Sequence, residues 1–239
     1  MTDATLTDEL DVARPAEKSV DGAELRDTDL LNVYAHTHGP VAFVDESYRL
    51  PGQAHGPGYY YVAAVIVDRE VIATVRTALT TIAGGLTWHT TDEARDSAGQ
   101  ARIITFNDHV AANAISVVAV ETVVGNDDLN GDKAREACLL ALLRCLSEEH
   151  LSPSGLVVYD RRQTAAQQAD DVRMFKRIRQ DADVATKLET YAGRQGSEPM
   201  LWSADAVAWT TRRALAMNDG AYIQPFLRRK TLELITSAK

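Results

Sequence analysis

Four apolar residues in a row, Val41-Ala42-Phe43-Val44, lead straight into two acids, Asp45 and Glu46. A short apolar run of this kind reads as a buried strand. A carboxylate at the end of such a strand is costly to bury without a partner. A second strand, Tyr59 to Val67, comes next and is rich in aromatic and β-branched residues. Leu50 to Gly58 between them holds two prolines and three glycines and reads as a loop.

Further along, the periodicity changes. Val71, Ile72, Val75, Leu79 and Ile82 fall at helical spacing, and Gly84-Gly85 stops that helix. Leu86 to Thr91 reads as extended or irregular. A helix starting at Asp92 or Ser97 runs to Asn113, with Ile103, Phe106 and Val110 inward. Ile115 to Val124 is a β-branched strand. Lys133 to His150 is the strongest helix of the chain, apolar on much of its surface and therefore covered. Leu156 to Tyr159 is a short strand ending at Asp160, and Thr164 to about Asp181 is a polar helix. Thr186 to Tyr191 is a further strand, and a helix runs from Pro199 or Ser203 to Met217. Ile223 to Ser237 ends in a terminal helix. The order β-β-α-α-β-α-β-α-β-α-α places the chain in the α/β class, with a mixed sheet covered by helices.

The chain has 239 residues, 45% of them hydrophobic, enough for one large domain. Residues 1–30 hold nine acids and three bases, a net of −6, with no sustained period. They read as a flexible acidic leader, drawn to residue 35. Residues 160–239 carry fourteen bases and ten acids, a net of +4 in a chain whose total is −9. The acidic total argues against indiscriminate nucleic-acid binding, while the basic C-terminal part suits a polyanion or an ordinary solvated face. No stretch approaches the roughly 20 apolar residues of a membrane span, and the polar N-terminus is neither a signal nor a transit peptide. A cytoplasmic protein without a membrane partner is the expectation. Nothing in the chain signals an oligomeric state.

The two cysteines, Cys138 and Cys145, lie seven apart on a helix, about 10 Å along its axis. That is too far for a disulfide, and a zinc site made of cysteines alone lacks further members. Both read as small core residues.

Three acids stand out. Asp45 and Asp160 each end an apolar strand, and Asp205 lies in Trp202-Ser203-Ala204-Asp205-Ala206-Val207-Ala208-Trp209. Clustered carboxylates repel unless a cation neutralises them. A cluster of aspartates is a hard-oxygen site suited to Mg²⁺ or Mn²⁺, and such sites serve phosphodiester cleavage. Each acid also has an ordinary reading: Asp45 opens a polar loop, Asp160 pairs with a neighbouring arginine, and Asp205 sits near a helix start. Glu46 ranks below Asp45, because successive strand side chains point to opposite faces.

Val41-Ala42-Phe43-Val44-Asp45-Glu46-Ser47, with the apolar strand Tyr59 to Val67 after it, resembles the opening of the bacterial domain-of-unknown-function 3800 family. That family opens with a strand ending Asp-Glu-Ser-Gly. The resemblance implies a ribonuclease H-like fold with an acidic metal site, here over residues 36–239 with a C-terminal helical extension. It implies two further acids, one ending a later strand and one on a late helix, which Leu156-Val157-Val158-Tyr159-Asp160 and Ser203-Ala204-Asp205-Ala206 match. Trp88-His89 is similar to a His-Trp element of the family in inverted order. The chain departs from the pattern at Tyr48, where the family has Gly, and at Ser203, where Gln is common.

Two functions are then open. The first is a Mg²⁺- or Mn²⁺-dependent nuclease-like phosphodiester hydrolase, acting on nucleic acid or another phosphate ester. Asp45, Asp160 and Asp205 are its metal ligands, Glu46 is an accessory acid, and His89 assists proton transfer. Arg161, Arg162 and Arg212 are its phosphate contacts. The second is a catalytically idle ribonuclease H-like binding or scaffolding module. His89 also reads as a plain hydrogen-bonded loop residue, and His36-Thr37-His38 is a His-x-His pair without a third ligand nearby.

Overall fold

The computed structural model describes residues 27–53, 57–151, 155–184 and 188–237. Most of the expected acidic leader, residues 1–26, lies outside the described residues. Its last part is not a loose leader: Thr28–His36 is helix α1, capped by Asp27, with Leu30 and Tyr34 buried. Two large apolar residues four apart suffice to seat a helix whose other faces are polar.

Strand β1 (Val41–Arg49) pairs antiparallel with β2 (Gly58–Val67), and β2 pairs antiparallel with β3 (Ile115–Val124). Strand β4 (Leu156–Asp160) lies parallel to β1, and β5 (Glu189–Gly193) parallel to β4. Strand β6 (Leu232–Thr236) lies parallel to β3, giving the order β5-β4-β1-β2-β3-β6. A three-strand antiparallel meander, extended by parallel strands from its first member and flanked by helices, makes the α/β mixed sheet that the sequence leads one to expect.

Side-chain alternation divides the core into two layers. Val41 and Phe43 face one layer, together with Tyr59, Tyr61, Ala63 and Val65 of β2. That layer is covered by α2 (Ile72–Ala83), α4 (Ser97–Asn113) and α7 (Leu201–Met217). Ala42 and Val44 face the other, with Tyr60 and Val62, under α5 (Asp132–Cys145) and α6 (Ala165–Ile178). Every residue of β2 is buried, as a central strand covered on both faces must be. Helix α6 starts on a capping box, Thr164 with Gln167. Helix α2 ends at Gly84 in the left-handed conformation, φ 71°, as the Gly84-Gly85 stop signal predicts. The short helix α3 (Thr90–Glu93) packs so tightly on α4 that a Cβ at Gly99 would meet the Glu93 carbonyl oxygen at 1.9 Å.

Three element expectations are corrected. The long helix predicted over 133–150 is α-helical only to Cys145; Leu146–His150 forms a π-helical turn closed by Leu151 N–H to the Leu146 carbonyl. The predicted terminal helix shrinks to α8 (Gln224–Arg229), which ends at Lys230 with φ 57°. The chain then forms β6, because Leu232 to Thr236 has an open edge, that of β3, to pair with. The strand expected over 186–191 is shifted to Glu189–Gly193; residues 185–187 lie outside the described residues. Among the described residues no helix is long and apolar enough to cross a membrane.

Candidate active site

Parallel pairing of β1 with β4 runs through Val44 opposite Tyr159, so the next residues, Asp45 and Asp160, end neighbouring strands side by side. Asp45 continues the Val41–Phe43 face, onto which α7 packs. On that helix every residue from Leu201 to Thr211 is buried except Asp205, which is half-buried. The three acids thus come from three elements to one pocket of about 410 Å³, lined also by Glu46, Tyr48, His89, Arg161, Arg162 and Gln195.

The acids sense one another. Burial is the main force raising the Asp45 carboxyl well above its usual range, and the charges of Asp205 and Asp160 add to it. The Glu46 N–H donates to Asp45 Oδ1 at 2.7 Å, which opposes the rise. Burial likewise pushes Asp160 up to about 6, with Glu46 and Asp205 adding and the N–H groups of Gln195 and Arg161 opposing. Gln195 Nε2 donates to Asp45 Oδ2 at 2.8 Å. Asp205 Oδ2 accepts from the Thr90 N–H at 2.9 Å and the Thr90 hydroxyl at 2.8 Å. Trp88 Nε1 donates in turn to the Thr90 hydroxyl oxygen at 2.9 Å. The Trp88-His89-Thr90 segment therefore orients Asp205 through its first and third residues. His89 itself is exposed at the pocket rim.

Among the described residues none of the three aspartates forms an ion pair with a Lys, Arg or His. This donor set fits a divalent cation: oxygen ligands only, largely withdrawn from water, mutually repulsive and unneutralised. Their oxygens nonetheless stay apart. Among the described residues the group whose donor atoms crowd within 4.8 Å of one another is elsewhere, at Cys145, Glu149, His150 and Glu233. Gln195, the Glu46 N–H and Thr90 each occupy an aspartate oxygen.

Other expected site residues divide. Glu46 borders the pocket, but its Oε2 is taken on the opposite sheet face by the Tyr60 hydroxyl at 2.6 Å and Arg135 Nε at 2.7 Å. Strand alternation thus separates it from Asp45. Arg161 and Arg162 line the pocket. Arg161 Nη2 donates to the Ala192 carbonyl at 3.0 Å, and Arg162 Nη1 lies 3.5 Å from Asp132 and 3.8 Å from Asp171. Arg212 is corrected: it does not line the pocket, because seven residues along α7 carry it about 10 Å from Asp205, where it faces Tyr61. His36 Nδ1 bonds to the Asn32 carbonyl oxygen at 2.7 Å, a contact at the end of α1.

Sequence reasoning missed Gln195, Thr90 and Arg135. Gln195 sits in a segment recognisable only as a loop. Arg135 carried a usable signal, an arginine on the most apolar helix, where a buried charge needs acids.

No protein-family model matches the chain, and no curated protein matches it. Several solved structures are similar. A crystal structure of Bst-RNase HIII in complex with Mn²⁺ is 16% identical, with a TM-score of 0.42 over 77% of this chain. A mutant of Bst-RNase HIII is 14% identical, with a TM-score of 0.40 over 78% of this chain. The chain spans 58% of the length of each. The third is a PCNA:RNase HII complex from Archaeoglobus fulgidus, 15% identical, with a TM-score of 0.45 over 74% of each chain.

Proposed function

We propose that the chain is a divalent-metal-dependent phosphodiester hydrolase, with Asp45, Asp160 and Asp205 as the ligands of Mg²⁺ or Mn²⁺. One observation carries this reading: three carboxylates from β1, β4 and α7 meet in one pocket with no cationic partner among the described residues. A bound divalent cation neutralises such a cluster and polarises a phosphoryl group.

The chain's own groups supply the rest. Arg161 and Arg162 flank the acids and meet the phosphate oxygens. His89 stands at the rim, where it gives a proton to the leaving oxygen. Tyr48 is 44% exposed and stacked 4.9 Å from Tyr60 at the pocket mouth. It offers a face to a base, which favours nucleic acid over a small phosphate ester. The departure from the family's Gly at that position therefore gains a use.

The second reading, an idle binding module, is favoured by the hydrogen bonds that already occupy aspartate oxygens. The experiment is cleavage of single- and double-stranded DNA and RNA with Mn²⁺, comparing wild type with Asp45→Asn. Cleavage by wild type and its loss in the variant support the hydrolase. Equal cleavage by both assigns the activity to another site. Cleavage by neither, with nucleic acid still bound, supports the idle module.

A further inference from the structure

We infer that the chain holds a second, thiolate-containing metal site for a Zn²⁺-like cation, formed by Cys145, Glu149, His150 and Glu233. Sγ of Cys145, one imidazole nitrogen of His150 and one oxygen from each glutamate all lie within 4.8 Å of one another. The set mixes sulfur, nitrogen and oxygen, the donors of zinc, whereas the three aspartates offer oxygen alone.

The backbone builds this juxtaposition. In an α-helix, residues five apart point about 140° away from each other. The wider turn at Leu146–His150, closed from Leu151 N–H to Leu146 at 2.7 Å, swings His150 back to the side of Cys145. Glu149 comes four residues after Cys145 and shares that side. Glu233 arrives from β6, on the edge of the sheet.

The present contacts within the cluster are poor substitutes for a cation. The Cys145 thiol reaches Glu233 Oε1 only at 3.9 Å. His150 Nε2 lies 3.4 Å from Glu233 Oε2, yet the atom is fully buried and makes no aligned hydrogen bond among the described residues. A tetrahedral zinc with bonds of about 2.0–2.3 Å sets its donors roughly 3.3–3.8 Å apart, so the four need to close by about 1 Å. Glu149 is exposed and the Glu233 side chain is 40% exposed, which leaves the cation a way in. On binding, the thiol gives its proton to solvent and sulfur coordinates as thiolate. Cys145 lies ten residues from the pocket residue Arg135 along α5, about 15 Å, so the two sites are separate. A cation there fastens the short edge strand β6 to the end of α5.

The test uses the full reduced chain with Mg²⁺ in excess to fill the aspartate pocket, and adds Co²⁺ and then Zn²⁺. One equivalent of Co²⁺ should produce a thiolate-to-cobalt charge-transfer band that Zn²⁺ displaces. Cys145→Ser should abolish the band, while Asp205→Asn and Cys138→Ser keep it. His150→Ala and Glu233→Gln should weaken Zn²⁺ binding at least about tenfold. Glu233 is at a half-exposed strand position, so that variant folds even if Cys145→Ser does not. The inference is overturned by absence of the band in wild type, by its survival in Cys145→Ser, by its loss in Asp205→Asn, or by unchanged Zn²⁺ affinity in both His150→Ala and Glu233→Gln.

Discussion

Two groups of withdrawn acids occupy this molecule, and they are treated in opposite ways. Glu198, with no exposed surface, receives Arg76 through both oxygens at 2.9 and 2.7 Å, the Tyr34 hydroxyl at 2.9 Å and the Met200 N–H at 2.9 Å. Glu46 and Asp171 share Arg135 at 2.7 and 2.5 Å. The pocket aspartates have hydrogen-bond donors and no positive partner among the described residues. Arginines stand against two buried acids, Glu198 and Asp171, and the half-buried Glu46, while among the described residues none stands against the three aspartates. Internally neutralised acids hold the fold; unneutralised ones fit a cation from outside.

The two groups should respond oppositely to removal. Asp45→Asn should lower Mn²⁺-dependent cleavage by about two orders of magnitude or more, since metal stabilisation is worth several kcal/mol. Without metal the same variant should unfold no earlier than wild type, because it removes a repelling charge. Arg76→Ala strands Glu198 in the core and should cost about 3–5 kcal/mol in urea unfolding, metal present or not. An Asp45→Asn variant that loses as much metal-free stability as Arg76→Ala would erase the distinction between the two groups.

Acidity gives the next largest effect. Asp160 titrates at about 6 when folded against an ordinary 3.8, chiefly through burial. The folded state therefore holds more protons in that window, and metal-free stability falls as pH rises from about 4 to about 6, by up to about 3 kcal/mol. Asp45 acts in the same direction. Asp160→Asn should flatten the slope, and saturating Mn²⁺ should reverse it, because the cation binds the ionised form. Denaturant midpoints across pH 4–7 measure both.

That Asp45, Asp160 and Asp205 line one pocket has a local signal in the sequence: Asp45 and Asp160 each end an apolar strand, and Asp205 interrupts an apolar helix. Alternation sets Glu46 apart from Asp45 in the sequence, and in the structure its Oε2 is taken by Tyr60 and Arg135 while both residues border the pocket. The features that escaped depended on distant partners. Nothing local in Leu232-Glu233-Leu234-Ile235-Thr236 announces that β3 offers an open edge, so the tail read as helix. Thr90 is an ordinary threonine until Trp88 and Asp205 meet its hydroxyl.

Thr90 supports a smaller test of how the pocket acids are held. Thr90→Val removes one of two bonds to Asp205 Oδ2 and strands the buried Trp88 N–H, at a cost of about 1–3 kcal/mol. It should lower kcat with little change in KM for nucleic acid, since Asp205 is misplaced while Arg161 and Arg162 are untouched. A change confined to KM would make Thr90 a substrate contact.

Gln195 carries the smallest expected effect, and its sign is the informative part. Its loop is anchored at one end by the Glu198–Arg76 pair and by Trp202 Nε1, which donates to the Gln195 carbonyl at 3.0 Å. The internally neutralised group therefore positions a side chain that touches the unneutralised one. The Gln195 amide occupies Asp45 Oδ2, an oxygen that a cation would take. Gln195→Ala should then cost about 1 kcal/mol without metal and raise Mn²⁺ affinity up to about tenfold, since the competing donor is gone. Calorimetric titration of Mn²⁺ reads this directly. Weaker binding in the variant would give Gln195 the opposite role, that of orienting Asp45 toward the metal, and the Arg76–Glu198 anchor would then belong to the site as much as to the fold.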